Sequence, residues 1–245
     1  MASEKRCDLH IHTALSPCGD KEMVPGRIVE QAKNRRLDVI GITDHNTAEN
    51  VLSVRKVAEK EGLKVLSGIE ITSSEEVHIL AFFDDYAALK NMQDIIYDNL
   101  DGENDESAFG EQSIVDESDN IVGYNKKLLI GATKLKMEYI VSMVHSLKGL
   151  VFASHVDRGS FSIISQLGFI PENLSFDGLE ISHKSSERDF LTNFPKCNRF
   201  PIVSFSDAHF REDIGKAATI FYINNINLNE IKEALKDGRY FITYT

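Results

Sequence analysis

Cys7-Asp-Leu-His-Ile-His12 and Val39-Ile-Gly-Ile-Thr-Asp-His45, with residues 25–36 between them, set the reading of the chain. Both named stretches are short and rich in Ile, Val and Leu, as strands buried on both faces are. Residues 25–36 begin with Pro25 and place Ile28, Val29 and Ala32 on one stripe, which is a helix signal. Strand, helix, strand predicts a crossover unit of a mainly parallel sheet.

The rhythm continues along the chain. Further strands are predicted at 65–71, 77–83, 150–154, 178–182, 202–206 and 219–223. Further helices are predicted at 47–60 behind a Thr47 cap, and at 86–100, 136–147 and 229–236. Seven or eight such units favour an α/β barrel over an open sheet, and 245 residues suit one such barrel. No repeat or Pro/Gly-rich linker divides the sequence, so 1–245 is expected to be a single domain. One acidic insertion near 101–123 breaks the rhythm and is expected as a solvated loop plus a hairpin turning at Ser118-Asp119-Asn120.

Composition narrows the function. Asp and Glu number 38 against 27 Lys and Arg, a net charge of −11. Such a chain lacks the basic surface that tracks nucleic acid, so no extended nucleic-acid surface is expected. No apolar run reaches the roughly 18 residues of a membrane span, and no signal-peptide-like stretch opens the chain. The three cysteines are too scattered for a disulfide framework. A cytoplasmic protein with reduced thiols is the expectation.

The histidines carry the chemistry. His10, His12, His45, His78, His155, His183 and His209 all fall in or just after predicted strands, and only His145 sits in a helical pattern. A lone histidine at a strand end is ordinarily structural; six strand ends bearing histidine beside Asp44, Glu70 and Asp207 are not. In a parallel barrel the carboxyl ends of the strands share one face, where active sites are built. His10 and His12, two apart on a strand, point to the same side. Imidazole with carboxylate suits Zn²⁺, Mn²⁺ or Fe²⁺, and the donors exceed the roughly four that one zinc takes.

These segments together resemble the PHP family, the polymerase and histidinol phosphatase metal-dependent phosphoesterases. Asp8-Leu-His-Ile-His12, Ile42-Thr-Asp-His45, Gly68-Ile-Glu70 with His78, Ser154-His155 and Ser206-Asp-Ala-His209 follow the family's motifs in order. The resemblance implies a distorted (β/α)7 TIM-like barrel with a trinuclear site. It implies that His10, His12, Glu70 and Asp207 hold one divalent ion. Glu70, His78 and His155 would hold a second. His45 and His209 would hold the third with a ligand from the loop after His12. That loop departs from the family's usual Ser-Asp-Gly and reads Ala14-Leu-Ser-Pro-Cys-Gly-Asp20. Counting back from Pro25 favours Asp20 as the ligand, with Cys18 as the alternative.

The implied activity is hydrolysis of a small phosphate ester, with a water bridging two ions attacking phosphorus. Arg158, in His155-Val-Asp-Arg158, resembles the phosphate-contacting Arg of nucleotide-phosphatase members and tilts the expectation toward nucleotide phosphates. An Arg paired with adjacent Asp157 is the alternative. Arg158 and His209 are the catalytic candidates, and Lys184 and Arg211 are weaker phosphate contacts. Histidinol phosphatase, exonuclease or cyclic phosphodiesterase activity is the nearby alternative. A metal-dependent amidohydrolase or a non-catalytic regulatory domain lies outside the class.

Overall fold

The computed structural model describes residues 2–244. Its first half contains β1 (Ser3–Ile11), α1 (Pro25–Asn34), β2 (Val39–Ile42), α2 (Val51–Lys60), β3 (Lys64–Thr72), β4 (His78–Phe83) and α3 (Tyr86–Asp98). The acidic insertion holds α4 (Glu106–Phe109), β5 (Ser113–Val115) and β6 (Ile121–Tyr124). Then come α5 (Met137–Ser146), β7 (Leu150–Ala153), α6 (Ile163–Leu167), β8 (Gly178–Ile181), α7 (Glu187–Asn193) and β9 (Ile202–Ser204). The chain ends with β10 (Ala217–Ile223), α8 (Leu228–Asp237) and β11 (Tyr240–Tyr244). All eight predicted strands are present. The short helices α4, α6 and α7 and the strand β11 were not anticipated. The predicted Thr47 cap is corrected: α2 starts after Asn50, and the Thr47 hydroxyl pairs with that of Tyr97 at 2.7 Å.

Among the described residues the main sheet has nine strands in the order β11-β10-β1-β2-β3-β4-β7-β8-β9. It nearly closes on itself. Ala208, beyond β9, bridges Ile11 of β1 in parallel, with His12 N–H donating to Ala208 O at 2.9 Å. The amino half of β1 pairs instead with β10, Ser3 opposite Ile223 and Cys7 opposite Thr219. The result is a distorted TIM-like barrel with β10 and β11 appended. The expected parallel arrangement is broken by β4, which runs antiparallel to both β3 and β7. The segment 73–77 between β3 and β4 is a tight turn, closed by Ser73 N–H on Val77 O at 2.9 Å. Five residues cannot carry a helical crossover, so β4 must reverse.

Strand alternation sorts the barrel into an inside and an outside. Leu9, Leu66, Leu80, Phe82, Phe152, Val203 and Phe205 pack in one buried cluster with α8 residues Leu228, Ile231, Ala234 and Leu235. The Phe82, Phe152 and Phe205 rings meet edge to face, with centroids 6.1 Å apart in both pairs. This apolar plug fills the amino end of the barrel. The intervening residues, such as Ile40, Ile42, Ile69, Ile79 and Ala81, pack outward with Ile28, Val51, Leu89 and Ile140 of the flanking helices.

Candidate metal centre

The same alternation aims polar groups into the opposite mouth. Glu70 follows Leu66 and Gly68 on the inner face of β3, and Glu180 follows Gly178 on β8. Asp207 continues the series Val203, Phe205 beyond β9. Gly68 is required here, because a Cβ would stand 2.8 Å from the Phe82 ring. In β1 the register shifts between Asp8 and Ile11. Leu9 therefore belongs to the inner cluster and Ile11 to the outer one, which frees His10 and His12 to face the mouth. His78 arrives differently from the sequence expectation. It lies near the start of the predicted strand 77–83 and is the first residue of β4, and it reaches the same mouth because β4 runs backward, opposite Thr72.

Glu70 is the hub. Five imidazole nitrogens surround its carboxylate: His45 Nδ1 at 3.0 Å, His78 Nδ1 at 3.2 Å, His10 Nε2 at 3.3 Å, His155 Nε2 at 3.4 Å and His12 Nε2 at 3.5 Å. Asp207 Oδ1 lies 3.1 Å from both His10 Nε2 and His12 Nε2. Three overlapping triads place their donor atoms within 4.8 Å of one another: His10, His12, Glu70; His45, Glu70, His78; and His12, His45, His209. His45 thus lies between Glu70 and His209. Asn46, His155 and Asp207 all have positive φ, at 53°, 29° and 50°, backbone strain concentrated at this mouth.

Charge state follows from these contacts. Burial alone would raise Glu70, but the neighbouring His78, His10 and His45 hold it well below the usual carboxylate range. Burial likewise opposes ionisation of Asp207, and His10, His12 and His209 overcome it. Desolvation lowers His78 to about 4 despite Glu70, so its imidazole is neutral at neutral pH.

Groups behind the ring hold it in place. Glu180, buried on β8, contacts His10 Nδ1 through both oxygens and accepts the His155 backbone N–H at 3.0 Å. Its one signal in the sequence is a lone carboxylate inside an apolar strand. Asp44 accepts the Thr13 N–H at 2.7 Å, the Thr13 hydroxyl at 2.8 Å and the Ser16 hydroxyl at 2.7 Å. Ser16 Oγ in turn sits 2.9 Å from His12 Nδ1. Asn46 binds the carbonyls of Leu129 and Gly131 and accepts the Thr72 N–H. Phe161 stacks on His78, centroids 4.9 Å apart.

The loop after His12 carries both Cys18 and Asp20. Asp20 turns its carboxylate onto the Glu22 N–H at 2.8 Å, capping its own turn. The Cys18 thiol faces His45 and His209; partial burial opposes its ionisation, but hydrogen bonding with these two brings it down to about 6. Arg158 reaches the rim, where Nη1 lies 2.5 Å from Asp207 Oδ2. Its adjacent carboxylate, Asp157, is engaged by Ser182 and Ser185 instead. His183 shares this rim. Desolvation, then the charges of Lys184, Lys216 and Arg158, lowers its pKa. Arg211 points elsewhere, to Glu30 at 3.8 Å. His145, on α5, pairs with Asp177, away from the mouth.

The donor set fits divalent metal. Both Glu70 oxygens and the Nδ1 atoms of His45, His78 and His155 are buried and make no hydrogen bond, despite their mutual proximity. An unpartnered buried polar atom costs about 1–3 kcal/mol, so five together are tolerable only around a cation that engages them.

Residues 8–165 match the family profile for the PHP domain, and residues 196–240 match that of a PHP-associated segment. The chain belongs to the PHP family. An uncharacterized protein of Methanocaldococcus jannaschii is 35 % identical over 78 residues, covering 29 % of this chain and 46 % of its own length. The PolC-type DNA polymerase III of Listeria monocytogenes is 31 % identical over 97 residues, covering 40 % of this PHP chain and 7 % of the polymerase. The match thus spans less than half of either relative. Three solved structures share the fold at 19 % identity. A lesion-specific endonuclease from Pyrococcus furiosus has a TM-score of 0.73, over 98 % of this chain and 58 % of that one. A Bifidobacterium adolescentis protein assigned as a metal-dependent phosphoesterase has a TM-score of 0.61, over 96 % and 97 %. An Endonuclease Q structure, TM-score 0.72, holds a 27-mer duplex with an abasic lesion at its active site. No helix among the described residues is long and apolar enough to cross a membrane.

Proposed function

We propose that this PHP chain is a metal-dependent hydrolase of a small phosphate ester, of nucleotide type, acting at a centre of three divalent cations. The observation that carries the reading is the Glu70 carboxylate, buried among five imidazoles and unpaired by any hydrogen bond. His10, His12, Glu70 and Asp207 would hold one ion, and Glu70, His78 and His155 a second. His45 and His209 would serve the third. Zinc, manganese and iron all suit this donor set.

Bound divalent cations would neutralise the phosphoryl oxygens and lower the pKa of water. The chain's own residues supply the rest. Glu70 stays ionised at the centre and balances part of the cationic charge. Neutral His78 offers a lone pair without first losing a proton. Arg158 is partly exposed and held by Asp207. With Asp207 engaged in holding a divalent cation, the Arg158 fork would be free to grip a phosphate with paired N–H groups. Lys184 and Lys216 extend the cationic rim beside His183. The exposed ring of Phe161 at the mouth offers a face on which a nucleobase can stack.

A second reading, cleavage of damaged DNA, draws on the fold shared with the lesion endonuclease over 98 % of this chain. The net charge of −11 favours the small ester. The deciding experiment is elemental analysis of the purified chain beside two assays: phosphate release from nucleotides and nicking of an abasic duplex. Chelator-sensitive phosphate release supports the first reading. Nicking without phosphate release supports the second. Metal with neither activity overturns both and moves weight to the amidohydrolase or regulatory alternatives.

A further inference from the structure

We propose that Phe161 is the specificity residue of this centre, a fixed platform that selects phosphate esters carrying a flat aromatic group over aliphatic ones. The proposal rests on the phosphoesterase reading above and names what that site reads in its substrate.

Phe161 combines three properties. Its ring stacks on His78, with 4.9 Å between centroids and 19° between planes. The residue is nevertheless 40 % exposed. The imidazole covers one face, so the exposure belongs to the other face and the edge. Its φ is +54°, in the left-handed region that a bulky side chain disfavours. A ring placed only for packing gains by being enclosed, and it does so without backbone strain. Phe161 forgoes much of that burial and carries the strain as well. Strain of this kind persists where the surroundings enforce it, and it concentrates at ligand clamps.

The surroundings of Phe161 do enforce it. His78 N–H donates to Phe161 O at 2.9 Å, so ring and carbonyl engage the same histidine. The Ser162 hydroxyl donates to Arg158 O at 2.7 Å, and Ser162 caps α6 by accepting the Ser165 N–H. Upstream, Glu180 holds the segment twice. Its side chain accepts the His155 N–H at 3.0 Å, and its backbone carbonyl accepts the Val156 N–H at 2.8 Å. Ser182 and Ser185 grip Asp157 between these ties. Residues 155–162 thus form a pinned arm. It carries a histidine of the cluster, His155, then Arg158 at the rim and Phe161 on His78, each three residues after the last.

A platform held this way is preorganised, so a ligand that stacks on it loses little to ordering the protein. Every nucleobase has a π face, and stacking does not read hydrogen-bond pattern. The arm therefore selects for flatness rather than for one base. The bound order would be imidazole, phenyl ring, base. An aliphatic ester such as glycerol phosphate meets the same cations and the same Arg158 but gains nothing from the ring.

Two measurements on the full chain test this. The chain contains no tryptophan, so Phe161→Trp installs a lone indole reporter at the platform. Adenosine monophosphate should quench its fluorescence saturably, and glycerol phosphate should not. No quenching by the nucleotide, or equal quenching by both, overturns the proposal. The second measurement is kcat/KM for the same two esters. Phe161→Leu still shields His78 but has no π face. It should cut the preference for the nucleotide by about 5–150-fold, the usual worth of one stacked base. Phe161→Tyr should retain that preference. Equal losses on both esters, or loss of bound metal in Phe161→Leu, would make the ring a mere cover for His78 and overturn the proposal. Selective quenching in a chain that releases phosphate from neither ester supports the platform and overturns the hydrolase reading instead.

Discussion

Both oxygens of Glu180 lie against one nitrogen of His10, at 2.9 and 3.0 Å from Nδ1. The carboxylate therefore fixes the Nδ1 proton and turns Nε2, with its lone pair, toward Glu70 and Asp207. Glu180→Gln keeps the shape but removes the charge. We expect metal affinity to fall by roughly 10–100-fold, the usual cost of losing such a partner. Competition with a chromogenic chelator measures it, and wild-type affinity would refute the role.

Glu70→Gln should lose metal and turnover together, because the amide cannot balance several cations at once. Retained turnover at unchanged metal content contradicts the hub. The same geometry makes metal a folding ligand. At free metal about a hundred times Kd, the native state gains about 2.7 kcal/mol, so chelator should lower the melting temperature of the wild type but not of Glu70→Gln. Scanning calorimetry with and without chelator reads this directly.

Arg158→Ala should raise KM for phosphomonoesters while metal content stays constant, since the guanidinium grips substrate and not cation. Arg158→Lys should recover little, for want of the planar fork. Unchanged kinetics in the alanine variant would return Arg158 to a purely structural pairing with Asp207.

Asp44 organises the loop from behind. Asp44→Asn places an amide among the Thr13 N–H, Thr13 hydroxyl and Ser16 hydroxyl donors. A loss of about 2–4 kcal/mol in unfolding free energy is expected, from weakened charge-assisted bonds and one opposed donor. Urea titration checks it; a change below about 0.5 kcal/mol, the level of an ordinary surface substitution, would dismiss it.

The barrel was readable because its strands are apolar runs with histidine or carboxylate at one end, and those features are local. The reversal of β4 was less legible. Residues 77–83 look alike in either direction, and the deciding feature is the shortness of the 73–77 link. Glu180 gives little signal in the sequence, being a lone carboxylate inside an apolar strand three residues before His183. Asp20 was favoured over Cys18 by counting along the sequence. The loop's path depends instead on Gly19 packed against Thr13 O and on the backbone bond from Asp20 to His209, a residue far away in the chain.

The double pairing of β1 has a consequence for the growing chain. Its amino half waits for β10 and its carboxyl half for the segment after β9, both beyond residue 200. Throughout synthesis β1 therefore presents a bare edge along which strands of other chains can add. A protein cut before β9 would retain residues 8–165 yet expose that edge permanently, and it should collect in aggregates. The segment from β9 onward thus acts as the clasp that keeps the first strand out of trouble.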